Sequence, residues 1–228
     1  MPQIDIGYRP AHSLAKVTLQ ADESIVAESG AMVGMSTNVQ MQTQSQGGLM
    51  GGLKRMFGGE SFFRNTFTAQ NGPGEVLLAQ ALCGDMAVLP MTPQGYYIQS
   101  SAYVASTPDV EVTTKTGGFK GFFSGAGVFI LQATSPQPDH GQVVVGAFGG
   151  LEPLTCDGSM VIDTGHLVAW DASLQYSIGK SGAGWIASWL SGEGLVCHFS
   201  GQGRIWIQSR NPGEYGQSVG SMLPPRKG

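Results

Sequence analysis

Charge is scarce in this sequence. Asp, Glu, Lys and Arg together make up 12% of it, against about 25% in an ordinary soluble domain. The twelve Lys and Arg side chains form no run, and the net charge of -4 has the wrong sign for a nucleic-acid groove, which needs cations to displace condensed counterions. Nucleic acid is therefore not an expected partner. Cysteine is also sparse. Cys83, Cys156 and Cys197 are odd in number, far apart and free of any C-x-x-C spacing, which excludes a disulfide framework and a zinc knuckle and leaves reduced, mostly buried thiols. No stretch approaches the ~18 continuous apolar residues of a membrane-spanning helix. The first residues, "MPQIDIGYRP", read neither as a secretory signal nor as an Arg-rich organelle presequence, so the expected compartment is the cytoplasm.

Glycine is abundant instead, at 35 of 228 residues. With so little charge, Gln, Ser and Thr fill the polar positions, and a weakly charged surface suits subunit contact, where charged side chains are depleted. A homo-oligomer is expected.

The chain repeats itself. "IVAESGAMV" (25–33), "YYIQSSAYV" (96–104) and "MVIDTGHLV" (160–168) share apolar pairs, then Glu, Gln or Asp, then Ser or Thr, and end on apolar-Val. "FGGESFF" (57–63), "FSGAGVF" (123–129) and "LSGEGLV" (190–196) follow in the same order, and then "GEVLLAQ" (74–80), "GQVVVGA" (141–147) and "GRIWIQS" (203–209). Three blocks kept in register three times over mark an internal repeat, with copies at approximately 15–82, 83–147 and 148–210 and a tail at 211–228. Within each copy the runs are short, rich in Val, Ile and Tyr, and bounded by turn residues, as strands are. "SLQYSI" (173–178) and "VEVTTKT" (110–116) alternate with period two, and no window carries a helical period. The expected fold is a single compact all-β domain over 1–228, its three repeats of short antiparallel strands set around a pseudo-threefold axis, an arrangement that leaves few free edges. Residues 1–14 and the tail are expected to lie outside the β framework.

Three Gly-flanked apolar loops recur with the repeat: "GGLMGGLKRMFGG", "GGFKGFF" and "SGAGWIASWL". Pseudo-threefold symmetry would gather them at one end, with Lys54, Met56, Phe57, Phe119, Phe122, Phe123, Trp185 and Trp189 as candidate binding residues. A contiguous apolar rim meets a partner, a membrane or its own core, so three readings stand: a plug of the β structure, an interface between copies in which three repeats weakly favour a trimer, or docking on a membrane surface or membrane protein, with Lys54, Arg55 and Lys120 facing anionic headgroups.

Catalytic and cofactor motifs do not assemble. "GAGWIA" (182–187) matches a dinucleotide fingerprint but lacks the βαβ setting and the later acidic residue, and "GKS" (179–181) has Leu174 where a phosphate loop needs glycine. His12, His140, His166 and His198 are scattered, without the close spacing of a metal-ligand set, and read as structural or surface histidines. Glu60 and Glu193 recur on Gly-rich loops, where loop hydrogen bonding explains them at least as well as acid–base work. No catalytic residue, metal or cofactor is expected.

The "AESGAMVGM", "GGLKRMFGGESFFRNTF", "GGFKGFF" and "GRIWIQSR" segments resemble the bacterial members of the altered-inheritance-of-mitochondria family, whose fold is similar to the tryptophan RNA-binding attenuation protein. The resemblance covers roughly residues 5–215. It implies a repeated β-sandwich or double-stranded β-helix that tends to oligomerise, in a family without an established activity. The mitochondrial location of eukaryotic relatives does not carry over to a chain without a presequence, and fold likeness alone transfers neither tryptophan nor RNA binding. The resulting expectation is a non-enzymatic scaffold or interaction protein acting through its apolar loops, the alternative being a small-molecule or carbohydrate-binding β module with Trp185 and Trp189 as stacking platforms.

Overall fold

The computed structural model describes residues 1–45, 63–115, 129–137, 140–180 and 195–224. Its strands, in chain order, are β1 (Gln3–Gly7), β2 (Leu14–Leu19), β3 (Ser24–Glu28), β4 (Met32–Met35), β5 (Val39–Ser45), β6 (Phe63–Ala69), β7 (Gly74–Leu78), β8 (Met86–Pro90) and β9 (Tyr96–Gln99). They continue as β10 (Tyr103–Ser106), β11 (Glu111–Thr114), β12 (Ile130–Thr134), β13 (Gln142–Gly146), β14 (Leu151–Asp163), β15 (Leu167–Asp171), β16 (Gln175–Lys180) and β17 (Leu195–Gln208). The fold is all-β, with one α-helix among the described residues, α1 (Pro212–Met222).

Three antiparallel sheets result, in the orders β1-β2-β7-β4, β5-β6-β3-β10-β13-β8 and β11-β12-β9-β15-β17-β14, with β16 also on β17. Period-two patterning decides which face goes inward. In β2, Ala15, Val17 and Leu19 are buried while Lys16 points to solvent and pairs with Glu75. Burial gathers these side chains into clusters around Phe67 and Leu78, around Tyr96, Tyr103 and Val143, and around Trp170, Phe199 and Ile205. Trp170 meets Tyr176 and Phe199 edge-on, with ring centres 5.0 and 5.5 Å apart, the geometry that aromatic quadrupoles favour.

One local device occurs three times. The pairing of β4 with β7 slips between Met32 and Gly34, that of β10 with β13 between Tyr103 and Ala105, and that of β15 with β17 between Leu167 and Ala169. The extra residue is Val33, Val104 or Val168, and such a bulge bends its strand and steepens the twist. Each bulged strand follows a tight turn: Ala31 N–H bonds Glu28 O, Tyr103 N–H bonds Ser100 O and Leu167 N–H bonds Thr164 O.

The outer edges of these strands differ. β10 adds to β3 through Ala105–Ala27 and Ser106–Val26, and β15 adds to β9 through Ala169–Ile98, Trp170–Tyr97 and Asp171–Tyr96. Among the described residues β4 pairs only with β7, and β14 only with β17. A second seam runs through the strand starts, where Ser13 N–H donates to Gly84 O at 3.0 Å and Asp85 N–H to Gly149 O at 2.8 Å. Gly84 is required there, because a Cβ would lie 1.8 Å from the Ala147 carbonyl oxygen. Arg9 grips the buried Asp85 carboxylate with Nε at 2.8 Å and Nη2 at 2.9 Å, and Ser13 Oγ adds a third hydrogen bond at 3.0 Å. Burial alone would push that carboxyl up; the hydrogen bonds from Arg9, the Met86 N–H and Ser13 outweigh it and hold it below the usual range.

One expectation changes. Residues 1–14 do not lie outside the framework: β1 pairs with β2 from Gln3–Thr18 to Gly7–Leu14, and Arg9 is anchored on Asp85. The tail carries α1, which belongs to none of the sheets and starts on an Asn211 cap with Pro212 in its first turn, both strong helix-start signals. It shows no amphipathic period because it buries none of its residues and so needs no apolar stripe. The free thiols are as expected, with Cys156 and Cys197 buried and Cys83 exposed.

Candidate ligand cavity

The polar step of the repeated block, Glu28, Gln99 and Asp163, falls at the ends of β3, β9 and β14. Its positions converge, since Glu28, Gln99 and the adjoining Thr164 and Gly165 line a single cavity of about 900 Å³. Gln80, Phe148 and Gln208, from the ends of the neighbouring strands and the residues just beyond them, complete the wall with the first turns of α1. The lining is mostly neutral amides, hydroxyls and backbone, with Leu82 and Phe148 supplying apolar surface.

The three equivalent polar side chains are used differently. Asp163 is consumed locally, its carboxylate accepting from Gly165 N–H at 2.7 Å and capping the short turn Thr164–His166. Gln99 Nε2 donates to Thr164 O at 3.5 Å. Gln208 is clamped at both ends, with Nε2 donating to Gly165 O at 2.8 Å and Oε1 accepting from Phe148 N–H at 2.9 Å. Asn211 Oδ1 accepts from Gly213 and Glu214 N–H groups, so the start of α1 is already capped. The Glu28 carboxylate, by contrast, accepts no hydrogen bond among the described residues. Burial pushes it up to about 7, because desolvation penalises its ionised form.

The registers relate this cavity to the apolar loops. Segments 46–62, 116–128 and 181–194 join β5 to β6, β11 to β12 and β16 to β17. In the returning strands Arg64 pairs with Glu28, Ile130 with Gln99 and Val196 with Asp163. Ser29 N–H bonds Phe63 O at 3.0 Å and Ser100 N–H bonds Phe129 O at 2.8 Å. Each hairpin is thus rooted beside the cavity. The candidate residues themselves, Lys54, Met56, Phe57, Phe119, Phe122, Phe123, Trp185 and Trp189, lie outside the described residues, as do Glu60 and Glu193.

The histidines occupy structural or surface positions. His12, His140 and His198 are exposed, and His166 Nδ1 lies 2.7 Å from Gln208 O. Among the described residues no three His, Cys, Asp or Glu gather as a metal-ligand set, and no helix is long and apolar enough to cross a membrane. The cavity was not expected from sequence. Its one signal was the Glu, Gln or Asp step shared by the three repeated blocks, which pattern reading treats as alignment evidence.

The family model described as Mitochondrial biogenesis AIM24 matches residues 4–210. A curated relative, an uncharacterised protein of Streptococcus pyogenes serotype M6, is 29% identical over 220 residues, spanning 92% of this chain and 87% of its own. The crystal structure of a Streptococcus pyogenes protein superposes with a TM-score of 0.82 at 27% identity, covering 98% of this chain and 100% of that one.

Proposed function

The chain belongs to the Mitochondrial biogenesis AIM24 family, and from that premise we propose that it is a non-enzymatic interaction scaffold that oligomerises or docks through its three Gly-flanked apolar segments. In this reading residues 15–82, 83–147 and 148–210 are copies of one β unit around a pseudo-threefold axis, in the manner of an attenuation-protein-like sandwich. The matching bulges at Val33, Val104 and Val168 support it. The observation that carries the function is that three hairpins return level with Glu28, Gln99 and Asp163, beside one cavity. Loops rooted there share one end of the molecule, and their Met, Phe and Trp side chains add up to an apolar surface of the kind that binds a second copy, a membrane surface or a membrane protein. The proposed setting is cytoplasmic, without nucleic acid or cofactor, and the proposed assembly is a small homo-oligomer, weakly a trimer.

Light scattering after size exclusion, with and without anionic liposomes, tests the reading on the wild type and on the triple variant Phe57→Ser, Phe122→Ser, Trp189→Ser. A smaller assembly, or lost liposome binding, with an unchanged β signal is the expected result. Loss of folding would make the loops an internal plug and overturn it.

A second reading, a small-molecule or carbohydrate-binding module, is favoured by the cavity itself. Its volume of about 900 Å³ lies within the range of ligand sites, and its mixed lining matches theirs.

A further inference from the structure

The cavity wall holds one acid, Glu28, whose carboxylate has no hydrogen-bond partner among the described residues. Glu28 sits at the end of β3 and lines this space together with Gln99, Thr164, Gln80 and the start of α1. The buried Asp85 has Arg9, Ser13 and a backbone N–H; the half-buried Glu28 carboxylate has no hydrogen-bond partner among the described residues. Arg64 faces it in register across β6, and Tyr103 stands behind it on β10, yet burial is the cause that sets its proton affinity. The hydroxyls of Ser101 and Thr164 and the amide of Gln217 also line this space and make no side-chain hydrogen bond among the described residues. Thr164 is buried, Glu28 half-buried, and Ser101 and Gln217 lie at the exposed rim, so polar groups line this space from its wall to its mouth, as the few orienting polar groups of a ligand site do.

We infer that the cavity binds a small organic cation bearing hydroxyl or amide groups, with Glu28 as counter-ion and Gln99, Ser101, Thr164 and Gln217 holding the polar body. The inference rests on the small-molecule reading and is independent of loop docking. A neutral ligand would leave the carboxylate either protonated or ionised at full desolvation cost, whereas an ammonium group lets it ionise in a charge-assisted hydrogen bond. An anion would face Glu28 without compensation, because the cap on Asn211 already occupies the first N–H groups of α1. The Phe148 ring in the lining offers a face on which an ammonium group is also stabilised.

Isothermal titration of the full-length protein at pH 7 with the glucosamine disaccharide, spermidine and choline, and with the N,N′-diacetylated disaccharide as the uncharged analogue, tests this. At least one of the cations is expected to bind. Glu28→Gln should weaken that cation about ten- to a hundredfold, the worth of a hydrogen bond to a charged group. Gln is tolerated at the equivalent position 99, so the variant is expected to fold, with an unchanged β signal. Gln99→Glu, which adds a second carboxylate where Glu28 shows one to be accommodated, should tighten the same cation and serves as the check if Glu28→Gln does not fold. Binding of the diacetylated disaccharide alone, or of a cation with no response to either variant, would overturn the cation assignment and leave the cavity reading standing. Absence of binding by all four compounds would overturn both, and neither result bears on loop docking, which light scattering reads separately.

Discussion

Val33, Val104 and Val168 sit at the same bulge in the same kind of strand, yet Val104 and Val168 are 1% and 0% exposed and Val33 is 59% exposed. The strands that carry them differ in what lies on their outer edge. β10 and β15 are sealed against β3 and β9, while β4 has no second partner among the described residues and shows Met32, Val33 and Met35 to solvent. Val161 on β14, the strand whose place in the pattern matches β3 and β9, is likewise 56% exposed. The comparison teaches that an apolar-Val pattern makes a strand but does not bury it. Burial is conferred by the neighbour: the outer edges of β10 and β15 are paired, while that of β4 has no partner among the described residues.

The largest contrast is expected between glycines. Gly84→Val at the closed seam would drive a side chain into the Ala147 backbone carbonyl, an atom that cannot yield, and is expected to cost more than about 4 kcal/mol or abolish folding. Gly34→Ala on β4 meets only the Leu77 side chain at 4.0 Å and should change stability by less than about 0.5 kcal/mol. Urea denaturation of both variants checks the pair. Next come the valines. Removing two buried methyl groups in Val104→Ala or Val168→Ala should cost about 2 kcal/mol each, from lost burial and the void left behind. Val33→Ala should cost less than about 0.5 kcal/mol; equal costs in all three would erase the distinction.

A smaller effect separates two acids by the sign of their pH dependence. Asp85 is held below its ordinary value of 3.8, so its contribution is present above that value and is lost as pH falls through the folded-state value. Glu28 is raised from 4.5 to about 7, so the folded protein holds the proton more tightly than the unfolded chain. Its contribution is full below pH 4.5 and is lost as pH rises through 7. Denaturation midpoints of the wild type should therefore fall between pH 4.5 and 7 relative to those of Glu28→Gln, with Arg64 and Tyr103 common to both proteins. Parallel profiles would contradict the burial of Glu28.

Much of the framework was legible because strand signals are local. The alternation in β2, β11 and β16 and the three apolar-Val blocks are written in adjacent residues. The parts that escaped depend on distant ones. β1 is a strand because β2 offers it an edge, and α1 is held by its Asn211 cap, by Pro212 and by a ring contact between Tyr215 and Phe148 at 5.1 Å, none of which produces a 3.6-residue period. The cavity escaped for the same reason. Glu28, Gln99 and Asp163 are alike in sequence, but only the fold decides that Asp163 caps its own turn while Glu28 lines the cavity wall.

The most direct test of outer edges paired at β10 and β15 and unpaired at β4 among the described residues is hydrogen exchange, measured at a concentration where light scattering finds a single chain. The account expects the amides of β4 that do not bond to β7 to exchange near the unfolded-chain rate, and the amides of β10 and β15 to be protected up to the global unfolding free energy. Equal protection along all three strands in the isolated chain would contradict it.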